Sequence, residues 1–141
     1  MTLSSPFRWL DTTDAAKLKR LSEQCQSERM NTVGYVGATI SVVAGLLGFF
    51  FPKQVSRVIG LQLPGLLGVS EFRATYGGLF IGGGVAVMMV QSSEGATVLG
   101  FGWAGACIAR AISLVVDRSR SKENIAGLVI EAVVAGLLIL A

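Results

Sequence analysis

The sequence contains no histidine, only two cysteines and three prolines, and charged residues make up only 15% of its 141 positions. The absence of histidine excludes a Ser-His-Asp triad, and Cys25 and Cys107 form neither a CxxC pair nor a Cys/His cluster that could bind a transition metal. A net charge of +3, with no basic and aromatic patch, does not favour nucleic-acid binding. We therefore predict no catalytic residues, no metal, no cofactor and no nucleic-acid partner.

The sequence is rich in apolar residues: 52% of the positions are hydrophobic, and 18 positions are glycine. Four apolar stretches are each close to the length that crosses ~30 Å of hydrocarbon at 1.5 Å per residue. They lack the polar stripe that a soluble amphipathic helix shows. The sequence therefore predicts an all-α fold, an integral membrane four-helix bundle, with spans at residues 32–51, 73–90, 97–116 and 125–141.

The polar residues are concentrated at the N-terminus, so we divide the chain into an extension, 1–30, and a four-span domain, 31–141. Phe7 and Trp9 beside Arg8 are typical of an anchor at the membrane interface. The rest of the extension fits either a solvated tail or an amphipathic helix that lies on the membrane or on a partner protein. Lipid and protein partners are both expected.

Small residues recur at four-residue spacing in the second and third spans. We predict that they allow close helix packing, as small-xxx-small patterns do in membranes; they are Gly78, Gly82, Gly102 and Ala106. At the start of the second span, Ser70 is a suitable N-cap residue. The run Gly82-Gly83-Gly84 is not a phosphate loop, because no strand precedes it and no Lys-Ser/Thr follows it.

Two opposite charges interrupt the last two spans. Arg110 and Glu131 are equally far, 10.5 positions, from the centre of the charged link 118–123. In an antiparallel helical hairpin they therefore lie at the same depth. A lone charge at the centre of a membrane costs roughly 2.5–3.5 kcal/mol, so such residues face the bundle interior and pair. We predict that Arg110 pairs with Glu131.

Other polar residues are expected in the same leaflet. Ser113 and Asp117 follow Arg110 on one helix face, and Arg73 and Tyr76 open the second span on the same side of the membrane. We predict a buried polar cluster of Arg73, Tyr76, Arg110, Ser113, Asp117 and Glu131. Three roles stay open: an ion pair that fixes helix register, a polar-floored pocket for a lipophilic headgroup or a proton-linked ligand, or a pair with another protein. Asp117 could equally end its span beside Arg118.

From about residue 36 to 141, the chain resembles a family of short four-helix bacterial membrane proteins classed as a domain of unknown function. The resemblance rests on Phe51-Pro52, on Ser70-Glu71-Phe72-Arg73-Ala74-x-Tyr76-Gly77-Gly78, on Ala109-Arg110-x-x-Ser113-x-x-x-Asp117 and on Glu131. It implies a four-span protein of a bacterial inner membrane or an equivalent energy-transducing membrane, and it implies no activity. The N-terminal 30 residues fall outside it.

Two functions follow from these observations. The first is a non-catalytic accessory or structural subunit of a larger membrane complex, favoured by the small-residue helix faces and by the N-terminal extension. The alternative is a small binder or transporter of a lipophilic ligand, such as a lipid or a quinone, that uses the Arg/Glu cluster. Chemistry by Glu131 is less favoured, because one carboxylate beside one arginine also describes a simple ion pair.

Overall fold

A computed structural model describes residues 17–20 and 29–141, and the elements it forms over them are helices. The helices of the main domain are α1 (Thr32–Phe50), α2 (Pro52–Val58), α3 (Gly65–Val90), α4 (Ser93–Val116) and α5 (Lys122–Ile139). Residues 17–20 are also helical. The predicted anchor residues Phe7 and Trp9 lie outside the described residues.

Three of these helices, α1, α3 and α4, are long and apolar enough to cross a membrane. This confirms the helical class and indicates membrane insertion. With 18 residues, three of them charged, α5 is less uniformly apolar. Whether all four long helices span the membrane therefore stays a prediction.

The second predicted span begins earlier than its composition suggested. Pro64 precedes the first residue of α3, Gly65, whose φ of +59° places it in the left-handed region. Ser70 is consequently an interior helix residue, and its prediction as an N-cap was wrong. Leu66, Leu67 and Val69 continue the helix on the N-terminal side of Ser70, so the helix begins at the Pro-Gly break instead.

A π-helical segment, Arg73–Leu79, interrupts α3 between the α-helical parts Gly65–Phe72 and Phe80–Val90. Because a π-helix bonds residue i to i+5, it rotates the following residues relative to an α-helical projection. Such segments are rare and are often found at functional sites. Here the segment carries Tyr76 and adjoins the C-terminal half of α1.

Helix α1 packs against both α3 and α5, while α4 runs antiparallel along α5. Glycines make the α1–α3 contact close. A Cβ atom placed on Gly45 would lie 2.7 Å from the backbone nitrogen of Ile81, and one on Gly84 would lie 2.8 Å from the carbonyl oxygen of Ala38. The helices α3 and α4 have few contacts with each other, which leaves a groove between them.

Asn31 joins the two ends of the main domain. Its Oδ1 accepts a hydrogen bond from the backbone N–H of Gly34 at 3.1 Å and caps α1. Its Nδ2 donates to the carbonyl oxygen of Leu140 at 2.8 Å. One side chain therefore caps the first long helix and also satisfies a carbonyl at the end of the last.

We expect Asn31→Ala to lower the free energy of unfolding by about 1–2 kcal/mol, since it removes a cap and an interhelical hydrogen bond. The matched variant Asn31→Ser keeps a capping oxygen but is too short to reach Leu140. It should lose only about 0.5–1.5 kcal/mol. Unfolding by SDS titration in mixed micelles, followed by circular dichroism, measures both. Equal losses in the two variants would show that the cap contributes nothing.

Candidate functional site

Arg110 and Glu131 form a bidentate ion pair between α4 and α5. The Arg110 Nε donates to Glu131 Oε2 at 2.9 Å, and Nη2 donates to Oε1 at 2.8 Å. Glu131 is buried, with 8% of its surface exposed, while the Arg110 side chain is 24% exposed. The two planar groups meet in the geometry that gives the strongest hydrogen-bonded charge pairs.

Two residues of α5 that sequence reasoning missed complete this arrangement. Asn124 Oδ1 accepts a hydrogen bond from Arg110 Nη1 at 2.7 Å. Gly127 leaves room for the guanidinium, because a Cβ atom there would lie 2.9 Å from Arg110 Cζ. Residues 124, 127 and 131 follow a spacing of three and four, which places them on one helix face. That spacing was the signal that could have identified them.

The Asn124 side chain also links the pair to the loop between α4 and α5. Its Nδ2 donates to the carbonyl oxygen of Ser119 at 2.7 Å, and its backbone N–H donates to the hydroxyl of Ser121 at 3.2 Å. Ser121 thereby caps α5. The Asn124 amide thus connects the loop conformation to the position of Arg110, while its backbone N–H takes part in the helix cap.

A cleft of about 200 Å³ opens above Arg110, and we call it the Arg110 cleft. Its walls come from the α2–α3 link, the π-helical segment and the α4–α5 loop; they are Ile59, Gly60, Leu61, Tyr76, Arg110, Ser119, Ser121 and Asn124. Tyr76 stacks on Phe72 with ring centroids 4.6 Å apart, which holds the ring in place. Polar groups of three separate chain segments therefore converge on one small cavity.

The other predicted cluster residues lie outside this cleft. Arg73 is exposed, and its Nε donates to the carbonyl oxygen of Phe49 at 3.1 Å, near the end of α1. A cation is favourable there, because the last carbonyls of a helix lack intrahelical partners. The Ser113 hydroxyl donates to Asp117 Oδ2 at 2.6 Å, and Asp117 is exposed. These two residues pair locally, one turn apart.

Glu123 lies in the first turn of α5, directly after the loop that lines the cleft. Hydrogen bonds from its own backbone N–H and from the hydroxyl of Ser121 lower the pKa of the Glu123 carboxyl below its ordinary value. The carboxylate is therefore ionised near neutral pH, and its charge complements the positive end of the helix.

The residues predicted to pack helices face away from the internal contacts. Cβ atoms placed on Gly82 and Gly102 would meet nothing within 4 Å, and Gly78 and Ala106 are exposed. The groove between α3 and α4 has a volume of about 480 Å³ and includes Gly102 in its lining. A smaller cavity of about 110 Å³ adjoins it at Gly102 and reaches Trp103 and Ala106. We call both together the α3–α4 groove.

The two features differ in their linings, because polar groups line the Arg110 cleft and mostly apolar ones line the α3–α4 groove. The Arg110–Glu131 pair uses both carboxylate oxygens of Glu131 on one guanidinium. Within residues 17–20 and 29–141, no group of three His, Cys, Asp or Glu side chains is placed to hold a metal ion. The cleft can receive a polar group from above, and the groove can receive an apolar one from the side.

A family described as "Domain of unknown function (DUF4345)" matches residues 30–141. The match confirms the resemblance seen in the sequence and begins at residue 30 rather than near residue 36. No curated protein and no solved structure matches this chain. The family description assigns no activity.

Proposed function

Because the chain belongs to the DUF4345 family, whose description assigns no activity, we propose a function from its own geometry: it is a non-catalytic, multi-pass subunit of a larger membrane protein complex. In this role the α3–α4 groove receives a transmembrane helix of a partner protein. The proposal depends on one observation above all, the small-residue surface that the chain exposes without using it internally.

Glycine in a helix is unfavourable relative to alanine by about 0.5–1 kcal/mol unless something requires it. At Gly45 and Gly84 close contact with the neighbouring helix requires it, but at Gly82 and Gly102 nothing in the described residues does. In a bilayer, helices associate through small residues that let their backbones approach. A partner helix in the groove would supply the missing reason for Gly82 and Gly102.

Helical spacing places Gly82 beside the groove as well. It lies three residues after Leu79 and four before Ala86, and both of these line the groove. The groove therefore has small residues on both walls. The small lining residues are Gly83 and Ala86 on α3 and Gly95 and Gly102 on α4, set among larger apolar side chains. Small residues on both walls favour the close approach of a helix.

The buried indole of Trp103 provides a second argument. Trp103 is only 6% exposed, and its Nε1 has no hydrogen-bond partner among the residues that the structure describes. Leaving such a donor unsatisfied costs about 1–3 kcal/mol. Since Trp103 lines the smaller cavity of the groove, an acceptor on an incoming helix could remove that cost.

The proposal includes α5 as a fourth membrane span. Its 18 residues give a length of ~27 Å at 1.5 Å per residue. Two of its charged residues, Lys122 and Glu123, lie in its first turn, and the third, Glu131, is paired with Arg110. Two charges would thus lie at the interface and the third is paired, so inserting α5 beside α4 has a low free-energy cost.

We expect Gly102→Leu to reduce the partner complex by about tenfold or more, because a leucine would fill the groove. The monomer should keep its stability, since a Cβ at Gly102 meets no neighbour. Gly136→Leu is the matched control: its Cβ also enters open space, and Gly136 is not a lining residue of the groove. Sedimentation after extraction in mild detergent, with mass spectrometry of the co-migrating chains, measures the complex.

Two outcomes would contradict the proposal. One is a wild-type protein that sediments as a single chain with bound lipid and no stoichiometric protein. The other is a Gly102→Leu complex of unchanged size and abundance.

A further inference from the structure

We propose that the Arg110 cleft binds the phosphate of an anionic phospholipid, with the acyl chains of that lipid lying against the α2–α3 link. This inference concerns a different surface from the α3–α4 groove and does not depend on the subunit role. It rests on the hydrogen-bond donors in the cleft, on the charge around its opening and on the apolar cavity beside it.

The side chains that line the cleft carry hydrogen-bond donors available to a ligand. A guanidinium carries five N–H groups, and Arg110 uses three of them on Glu131 and Asn124. Tyr76 lines the same cleft and carries a hydroxyl that can donate a hydrogen bond. The Ser119 hydroxyl accepts from Asn124 Nδ2 at 3.3 Å, so its own proton is free to be donated. A group rich in acceptor oxygens is the complementary ligand, and a phosphate diester is such a group.

Charge around the opening favours an anion. The Arg110–Glu131 pair is neutral overall, so the charged residues around the opening determine the sign of the electrostatic potential there. At this end of the bundle, residues 51–73 and 117–123 contain six basic and three acidic residues. The basic ones are Lys53, Arg57, Arg73, Arg118, Arg120 and Lys122. Basic residues at a membrane surface attract anionic lipids by about 1 kcal/mol each.

The α2–α3 link explains why a lipid fits better than free phosphate. Leu61 lines the Arg110 cleft and also a neighbouring cavity of about 640 Å³. That cavity has the apolar lining residues Leu63, Leu66 and Val69. Its lining also includes the polar and basic residues Lys53, Ser56, Arg57 and Gln62. Its apolar surface continues outward, because the side chain of Leu66 is 89% exposed. Polar and apolar sites thus adjoin in the order in which a phospholipid carries its headgroup and chains.

Thermal unfolding of the full chain in detergent tests this, with added dihexanoyl phosphatidylglycerol, dihexanoyl phosphatidylcholine or inorganic phosphate. We expect phosphatidylglycerol to raise the Tm in a saturable way, phosphatidylcholine to raise it less, and phosphate to leave it unchanged. In Tyr76→Phe, which keeps the ring stacked on Phe72, half-saturation should need about three to ten times more phosphatidylglycerol, the loss of one hydrogen bond.

Tyr35→Phe is the matched control, because Tyr35 lies in the first turn of α1 at the other end of the bundle; it should bind as the wild type does. Ser119→Ala, in the exposed loop, provides a second variant if Tyr76→Phe does not fold. Equal responses to the two lipids would overturn the proposal, as would unchanged affinity in both cleft variants. A phosphate response equal to that of phosphatidylglycerol would overturn the lipid as the ligand.

Discussion

Glu131→Gln is expected to lower the free energy of unfolding by about 3–5 kcal/mol, the usual cost of removing one partner of a buried ion pair. Arg110 would then carry its charge inside the bundle with only neutral partners. Arg110→Gln should have a similar cost, because Glu131 is the more deeply buried of the two. Both effects are measured by SDS titration of the purified chain in mixed micelles.

The double variant Arg110→Gln with Glu131→Gln is the decisive measurement. It removes both charges and leaves two amides that can bond to each other, so most of the loss in each single variant should be recovered. Exposed Glu71 provides the control, and Glu71→Gln should change stability by less than about 0.5 kcal/mol. If the two single losses simply add in the double variant, the residues act independently and the pair does not fix helix register.

The second large effect is expected at Gly45. Gly45→Ala should lower the free energy of unfolding by about 2–3 kcal/mol, because the added methyl group would overlap backbone atoms of α3. The closest are the nitrogen of Ile81 at 2.7 Å and the carbonyl oxygen of Gly77 at 2.9 Å. Backbone atoms cannot turn aside as a side chain can, so α1 and α3 must separate.

Gly82→Ala is the matched control for this prediction. It makes the same substitution in α3, at a position where the new methyl group meets nothing within 4 Å. It should leave the isolated chain unchanged or stabilise it by up to about 1 kcal/mol, the helix-propensity difference between the residues. The same SDS titration measures both variants. A loss at Gly82 equal to that at Gly45 would refute the helix rotation described here.

The α4–α5 hairpin shows which features of the site could be predicted from the sequence and which could not. The equal distance of Arg110 and Glu131 from the centre of their link predicts equal depth, and the structure places the two side chains in bidentate contact. Depth along a hairpin depends only on counting residues. The third partner, Asn124, and the space at Gly127 depend on which face of α5 turns toward α4, which counting along the link does not reveal.

In the region of α2 and α3, by contrast, the sequence-based predictions failed. Composition alone placed the start of the second span at residue 73, whereas α3 begins at Gly65. Arg73, expected in one buried cluster with Arg110, is exposed and donates to the end of α1 at Phe49. The π-helical segment that begins at Arg73 leaves no mark in hydrophobic periodicity, so its rotation of the neighbouring side chains could not be anticipated.

By itself, the sequence determined the helical class, the apolar lengths suited to a membrane, and the matching depth of the two embedded charges. These properties depend on composition and on position along the chain. The tertiary structure decided which glycines are buried, since small-residue patterns occur on several helix faces and only the rotation of each helix selects one. It also decided that Tyr76, Arg110 and Ser119 share a cleft, because they come from three segments whose meeting depends on packing.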